Sequence, residues 1–145
     1  MIPLRVDNFS KKAYNINMTK IICAEDDKLI SAALIEGFNG AGFEATPAYD
    51  GEEAMAKMRE IKPDLVLLDI MMPKLDGFGV AWEMKADPEL AKIPVVMLTN
   101  LSDPDTVSKI MEAGIMDYLL KSEQTIDQII AKVKEVLARD PKPSN

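Results

Sequence analysis

An alternation of short apolar runs with stretches of helical periodicity, kept up along most of the chain, constrains the fold more than any other feature. Ile21-Ile22-Cys23-Ala24, Leu65-Val66-Leu67-Leu68, Val95-Val96-Met97-Leu98 and Tyr118-Leu119-Leu120 have the length and apolarity of strands buried on both faces. Phe43 to Ala48 is a less apolar candidate, as an edge strand would be. Between these runs the period changes. Ile30, Ala33, Leu34, Gly37, Phe38 and Ala41 recur at helical spacing, and so do Ile126, Ile129, Ile130, Val133 and Leu137. Gly40 and Gly42 flank the end of the first helix, Pro63 and Pro94 precede strands, and Thr125 with Gln128 reads as a capping box for the last helix. Five strand–helix units in a row, with crossovers of one hand, predict an open parallel sheet, doubly wound, with helices on both faces.

A length of 145 residues fits one domain able to bury its core without disulfides or a structural metal. The domain is expected over residues 19–139. Residues 1–18 are expected to form a poorly ordered N-terminal extension, or to derive from an upstream start codon, and residues 140–145 a tail or the start of a linker. No apolar stretch approaches the ~20 residues that a membrane span requires, and no signal-like segment opens the chain, so a cytoplasmic location is the default expectation. A net charge of −7 argues against direct DNA binding, which calls for a basic face. The chain has no histidine, which removes a His nucleophile, base or metal ligand. Its single cysteine, Cys23, lies in an apolar run and reads as a buried structural thiol.

Sheets of this kind form their sites beyond the carboxyl ends of the strands. The polar residues of this chain collect there: Glu25-Asp26-Asp27 after the first strand, Asp69 after the third, Thr99 after the fourth and Lys121 after the fifth. Carboxylates gathered at strand ends repel one another unless a cation sits among them. With oxygen donors only, the hard ion Mg²⁺ is the natural choice. Lys121 adds a second positive charge and Thr99 a hydroxyl. Cation, ammonium and hydroxyl together suit the three equatorial oxygens of a phosphoryl group in transfer. With its repulsion cancelled, Asp69 becomes a candidate nucleophile for an acyl phosphate. Asp27 reads instead as the cap of the following helix.

Through Ala24-Glu25-Asp26-Asp27, Asp69-Ile70-Met71-Met72-Pro73-Lys74-Leu75-Asp76-Gly77, Leu98-Thr99 and Tyr118-Leu119-Leu120-Lys121, the chain resembles the response-regulator receiver family of two-component signalling over about residues 19–138. The resemblance implies a flavodoxin-like (βα)5 sheet in strand order 2-1-3-4-5. It implies Asp69 as phosphoacceptor, and Glu25, Asp26, Asp69 and the Met71 backbone carbonyl as the Mg²⁺ site. Thr99 and Tyr118 would be a switch pair and Lys121 the phosphoryl-contacting lysine. The partners implied are a histidine kinase or phosphotransfer protein as donor and a downstream protein effector. Such a module is a signalling switch and not an enzyme acting on other substrates.

The sequence departs from the family at three places. Ser122 stands where proline usually follows the lysine, with its cis bond. A cis bond before a non-proline residue costs about 3–4 kcal/mol, so the chain must either hold that strain or adjust with a trans bond. Asn100 replaces a commonly small residue. Met71 and Leu101 flank the path of attacking water and cannot orient it, which predicts slow self-dephosphorylation. A haloacid-dehalogenase-like enzyme would need an acidic residue at Met71, and a flavodoxin-like cofactor binder a phosphate loop in place of Glu25-Asp26-Asp27. The remaining alternative is a pseudo-receiver acting as a phosphorylation-independent interaction module.

Overall fold

The structure is a computed structural model that describes residues 18–139. Residues 1–17 of the expected extension, and the expected tail at residues 140–145, lie outside the described residues. Met18, at the end of the expected extension, is buried against the fold.

Five parallel strands, β1 (Lys20–Ala24), β2 (Glu44–Ala48), β3 (Leu65–Asp69), β4 (Val95–Thr99) and β5 (Asp117–Leu120), form one sheet in the order β2-β1-β3-β4-β5. They alternate with helices α1 (Lys28–Gly40), α2 (Gly51–Ile61), α3 (Gly77–Ala86), α4 (Pro104–Glu112) and α5 (Ile126–Arg139). The fold class and strand order expected from the sequence are therefore those observed. The central strand β3 is buried at every position, whereas β2 is only half-buried and pairs with β1 alone. That edge position accommodates Pro47, which has no amide to give to a second neighbour.

Because side chains alternate along a strand, each strand feeds two separate cores. Ile22, Ala24, Val66, Leu68 and Met97 pack with Met55, Met58, Val80, Met84 and Ile110 beneath α2, α3 and α4. Ile21, Cys23, Leu65, Leu67, Val96 and Leu98 pack with Leu34, Phe38, Ile129, Ile130, Val133 and Val136 beneath α1 and α5. Each fully buried Leu, Ile or Phe contributes roughly 1.5–3 kcal/mol.

Local signals set the helix boundaries. Asp27 caps α1, its Oδ1 accepting from the amides of Leu29 (2.9 Å) and Ile30 (3.1 Å). Thr125 and Gln128 make the reciprocal capping box ahead of α5. The buried face of α1 is rotated relative to the expected one: Ser31, Leu34 and Phe38 are buried, while Ala33 and Ala41 are exposed. On its other side α1 approaches α5 closely, where a Cβ on Gly37 would stand 2.5 Å from the Ile126 Cγ2. Two single-turn 3₁₀ segments, Leu90–Lys92 and Lys121–Glu123, were not anticipated by the apolar pattern.

Candidate phosphoacceptor site

Each polar residue of interest lies at or just beyond a strand's carboxyl end, and the topology brings those ends side by side. β1 and β4 both flank β3, with Ala24 opposite Leu68 and Leu98 opposite Asp69. On the far side of β4, Thr99 pairs in register with Leu120, the residue before Lys121. Oxygens of Glu25, Asp26 and Asp69 all lie within 4.8 Å of one another. Glu25 is 1 % exposed and Asp69 5 % exposed, whereas Asp26 faces solvent.

Lys121 binds this cluster together. Its Nζ lies 2.7 Å from Glu25 Oε1 and 3.1 Å from Asp69 Oδ2, to which it donates a hydrogen bond. The other Glu25 oxygen accepts from the Asp27 amide at 3.0 Å. Glu25 is thus fixed at both oxygens, one to backbone and one to an ammonium. The sequence pointed to Glu25 only as half of an acidic pair; nothing in it signals the direct contact with Lys121, which follows β5, a strand separated from β1 by β3 and β4 in the sheet.

The electrostatics are unbalanced. Burial, reinforced by the neighbouring Glu25 carboxylate, pushes the Asp69 pKa up to about 6 against the pull of Lys121 and the Ile70 amide. Burial also depresses the Lys121 pKa, but its contacts with Glu25 and Asp69 outweigh that effect and leave it raised. Three carboxylates against one ammonium leave a formal excess of two negative charges at one sheet edge. All the donors are hard oxygens and one face is open through Asp26. This donor set fits a small hard dication.

The other expected residues lie on β4, β5 and the loops after β3 and β4. Thr99 is fully buried, and its Oγ1 accepts from the Leu101 amide at 3.0 Å. Tyr118 is on the exposed side of β5. Met71 lies in the loop after β3 with its side chain 65 % exposed, and Leu101 is half-buried. Asp27, engaged as a helix cap, is outside the cluster. There is no cis peptide among the described residues, so Lys121-Ser122 is trans. The 3₁₀ turn beginning at Lys121 carries the chain on while the lysine still reaches both carboxylates.

The family model of the response regulator receiver domain matches residues 21–134. The chain belongs to that family. Among curated relatives of this receiver domain, the DNA-binding dual master transcriptional regulator RpaA of Synechocystis is 34 % identical over 84 % of this chain and 50 % of its own. The DNA-binding response regulator MtrA of Mycolicibacterium smegmatis is also 34 % identical, over 83 % and 51 %. The chain therefore spans about half the length of these relatives, and their DNA binding is a property named for the whole proteins. Among solved structures, the signal receiver domain of a histidine kinase from Syntrophus aciditrophicus superposes with a TM-score of 0.79 at 28 % identity, covering 88 % of this chain and 96 % of that one. The chemotaxis protein CheY4 of Vibrio cholerae gives 0.78 at 25 % identity, covering 83 % and 100 %. Receiver domains are signalling modules that work with histidine kinases, and the acidic pocket of this one suits a phosphoacceptor site. Among the described residues no helix is long and apolar enough to cross a membrane.

Proposed function

We propose that this receiver domain takes a phosphoryl group from a partner's phosphohistidine onto Asp69 and passes the signal to a protein effector. The observation that carries this reading is the convergence of Glu25, Asp26 and Lys121 on a buried carboxylate at the end of the central strand. An Asp69 oxygen attacks phosphorus as the bond from phosphorus to the donor imidazole breaks. The imidazole nitrogen keeps that electron pair and takes a proton. None of these 145 residues is a histidine, so the donor histidine lies outside this sequence. Bound Mg²⁺ would neutralise phosphoryl charge and lower the repulsion between the incoming phosphate and the carboxylates. Glu25, Asp26, Asp69 and the Met71 carbonyl are the groups that would hold it.

The chain's own residues divide the remaining work. Lys121 shifts from the Asp69 carboxylate to a phosphoryl oxygen, a short move for a side chain already in contact with the acceptor. The Thr99 hydroxyl can donate to another phosphoryl oxygen while still accepting from Leu101. Movement of Thr99 frees space that Tyr118 enters, changing the face built from α4, β5 and α5. Met111, Met116 and Tyr118 leave exposed apolar surface there, which suits a protein effector. The exposed Met71 and half-buried Leu101 offer no group that orients water, so the acyl phosphate persists.

The test is incubation with acetyl phosphate and Mg²⁺, followed by intact-mass measurement of the wild type and Asp69→Asn. A phosphoryl adduct on the wild type alone is the expected result. An adduct on both would move the acceptor elsewhere, and an adduct on neither would favour a phosphorylation-independent interaction module.

A further inference from the structure

The loop from Ile70 to Asp76 carries Met71, and what holds that loop in place comes from two directions. From its own end, the Gly77 amide donates to the Ile70 carbonyl at 2.8 Å, and a Cβ on Gly77 would stand 2.4 Å from the Asp69 carbonyl oxygen. From outside comes the first turn of α2. The buried Gly51 lies directly against the loop, so that a Cβ there would stand 1.9 Å from the Leu75 carbonyl oxygen and 2.6 Å from the Leu75 Cβ. The obstruction includes backbone, which cannot rotate away as a side-chain tip can. The Gly51 amide points at the Pro73 carbonyl at 3.5 Å, which also accepts from Leu75 at 2.7 Å. Asp50 joins the two elements: its Oδ1 caps α2 at the Glu53 amide (2.7 Å), and its Oδ2 lies 3.6 Å from Lys74 Nζ. Lys74 itself has a left-handed backbone, φ 70°, at the tip of the loop.

We propose that the first turn of α2, through Gly51 and Asp50, is a positioning element for the cation site, setting the Met71 loop at the distance the ion requires. Neither residue touches the acidic cluster. The proposal rests on the reading that Glu25, Asp26, Asp69 and the Met71 carbonyl hold Mg²⁺. Its signature is selectivity. Mg²⁺ demands near-ideal octahedral geometry at short distances, whereas Ca²⁺ accepts longer and more irregular coordination. A loop displaced by an added methyl group therefore penalises Mg²⁺ more than Ca²⁺.

The experiment measures Mg²⁺ and Ca²⁺ dissociation constants by calorimetry for the full chain, with circular dichroism as the check on folding. Gly51→Ala is expected to weaken Mg²⁺ about tenfold, the scale seen when a supporting contact behind a metal ligand is removed, and Ca²⁺ by a clearly smaller factor. Gly40→Ala, whose added Cβ meets nothing within 4 Å, should change neither. Asp50→Asn keeps a capping side chain and adds no bulk, so it remains informative if the alanine variant does not fold; it should weaken Mg²⁺ two- to threefold, with Ca²⁺ less affected. Equal losses for both ions, or unchanged Mg²⁺ affinity in folded Gly51→Ala and Asp50→Asn, would overturn the proposal. A wild type that binds neither ion would instead overturn the cation site on which it rests.

Discussion

Asp69→Asn should make the metal-free protein more stable, although it removes the proposed acceptor. The Asp69 pKa is raised from 3.8 to about 6 in the folded state, so folding disfavours its charged form. A shift of this size corresponds to a ceiling of about 3 kcal/mol at roughly 1.4 kcal/mol per unit. Two effects reduce it. Solvent at the mouth of the site screens part of the repulsion, and Asn forms a weaker contact with Lys121 than the carboxylate does. A net gain of about 1–2 kcal/mol remains, or roughly 4–8 °C in melting temperature for a domain of this size. The sign follows from linkage. A carboxylate with a raised folded pKa contributes its stability fully below its unfolded value, near pH 4, and loses it as pH rises through about 6. The gap between Asn variant and wild type should therefore be small near pH 4, widen up to about pH 6 and level off above neutrality. Urea or thermal unfolding with a chelator present, repeated across that range, measures it. Added Mg²⁺ should narrow the gap by stabilising the native wild type. A variant less stable than wild type at neutral pH, or a difference that ignores pH, would refute the electrostatic account.

Lys121→Gln should destabilise the metal-free protein by about 3–5 kcal/mol, because it leaves the buried Glu25 and Asp69 without a counter-ion; thermal melts with a chelator measure this, and a near-neutral result would mean the carboxylates are already protonated. Asp27→Ala should cost about 1 kcal/mol through loss of the α1 cap, leaving Mg²⁺ affinity unchanged in calorimetry. Cys23 is fully buried with its thiol pushed up to about 12, so a thiol reagent should label it only as the protein unfolds. Decay of the phosphorylated protein should accelerate several-fold in a Met71→Asn, Leu101→Gln double variant, as followed by intact mass over time; unchanged decay would show that water access is limited elsewhere.

The fold was legible because β1, β3 and β4 are buried on both faces, and continuous apolar runs of that kind have few other homes. The weaker β2 was legible for the opposite reason, as its mixed sequence marks an edge. The site was legible as a set of strand-end positions, and Asp27 was separable from Glu25 and Asp26 by the demand of a helix start. The rest depends on relations between distant segments. The burial of Ser31 on α1, and the close approach of Gly37 to Ile126, are set by packing between elements that no local period encodes. Glu25 looks from sequence like a metal-facing acid, and the fold adds a contact with Lys121 that residue types alone do not announce. The trans bond at Ser122 could not be chosen from residue types alone, since it depends on whether the turn after Lys121 lets the ammonium reach Asp69. The support of the Met71 loop by Gly51 joins segments whose sequences do not announce one another.

The division of the sheet into two cores carries a counting rule into the site. Odd-numbered positions of β1 and β3 face α1 and α5, and Glu25 and Asp69 continue that parity. In β5, Leu119 faces the same way, so Lys121 arrives on their side. In β4, Val96 and Leu98 face α1 and α5, so Thr99 falls to the opposite side, as Tyr118 does in β5. Strand phase thereby puts charge pairing on one face and the proposed switch pair, Thr99 and Tyr118, on the other, so Thr99 would reach the phosphoryl group across the strand ends. Inserting a single residue between Tyr118 and Lys121 would turn the lysine to the other face, sending the ammonium away from its carboxylates while leaving the chain's composition almost untouched.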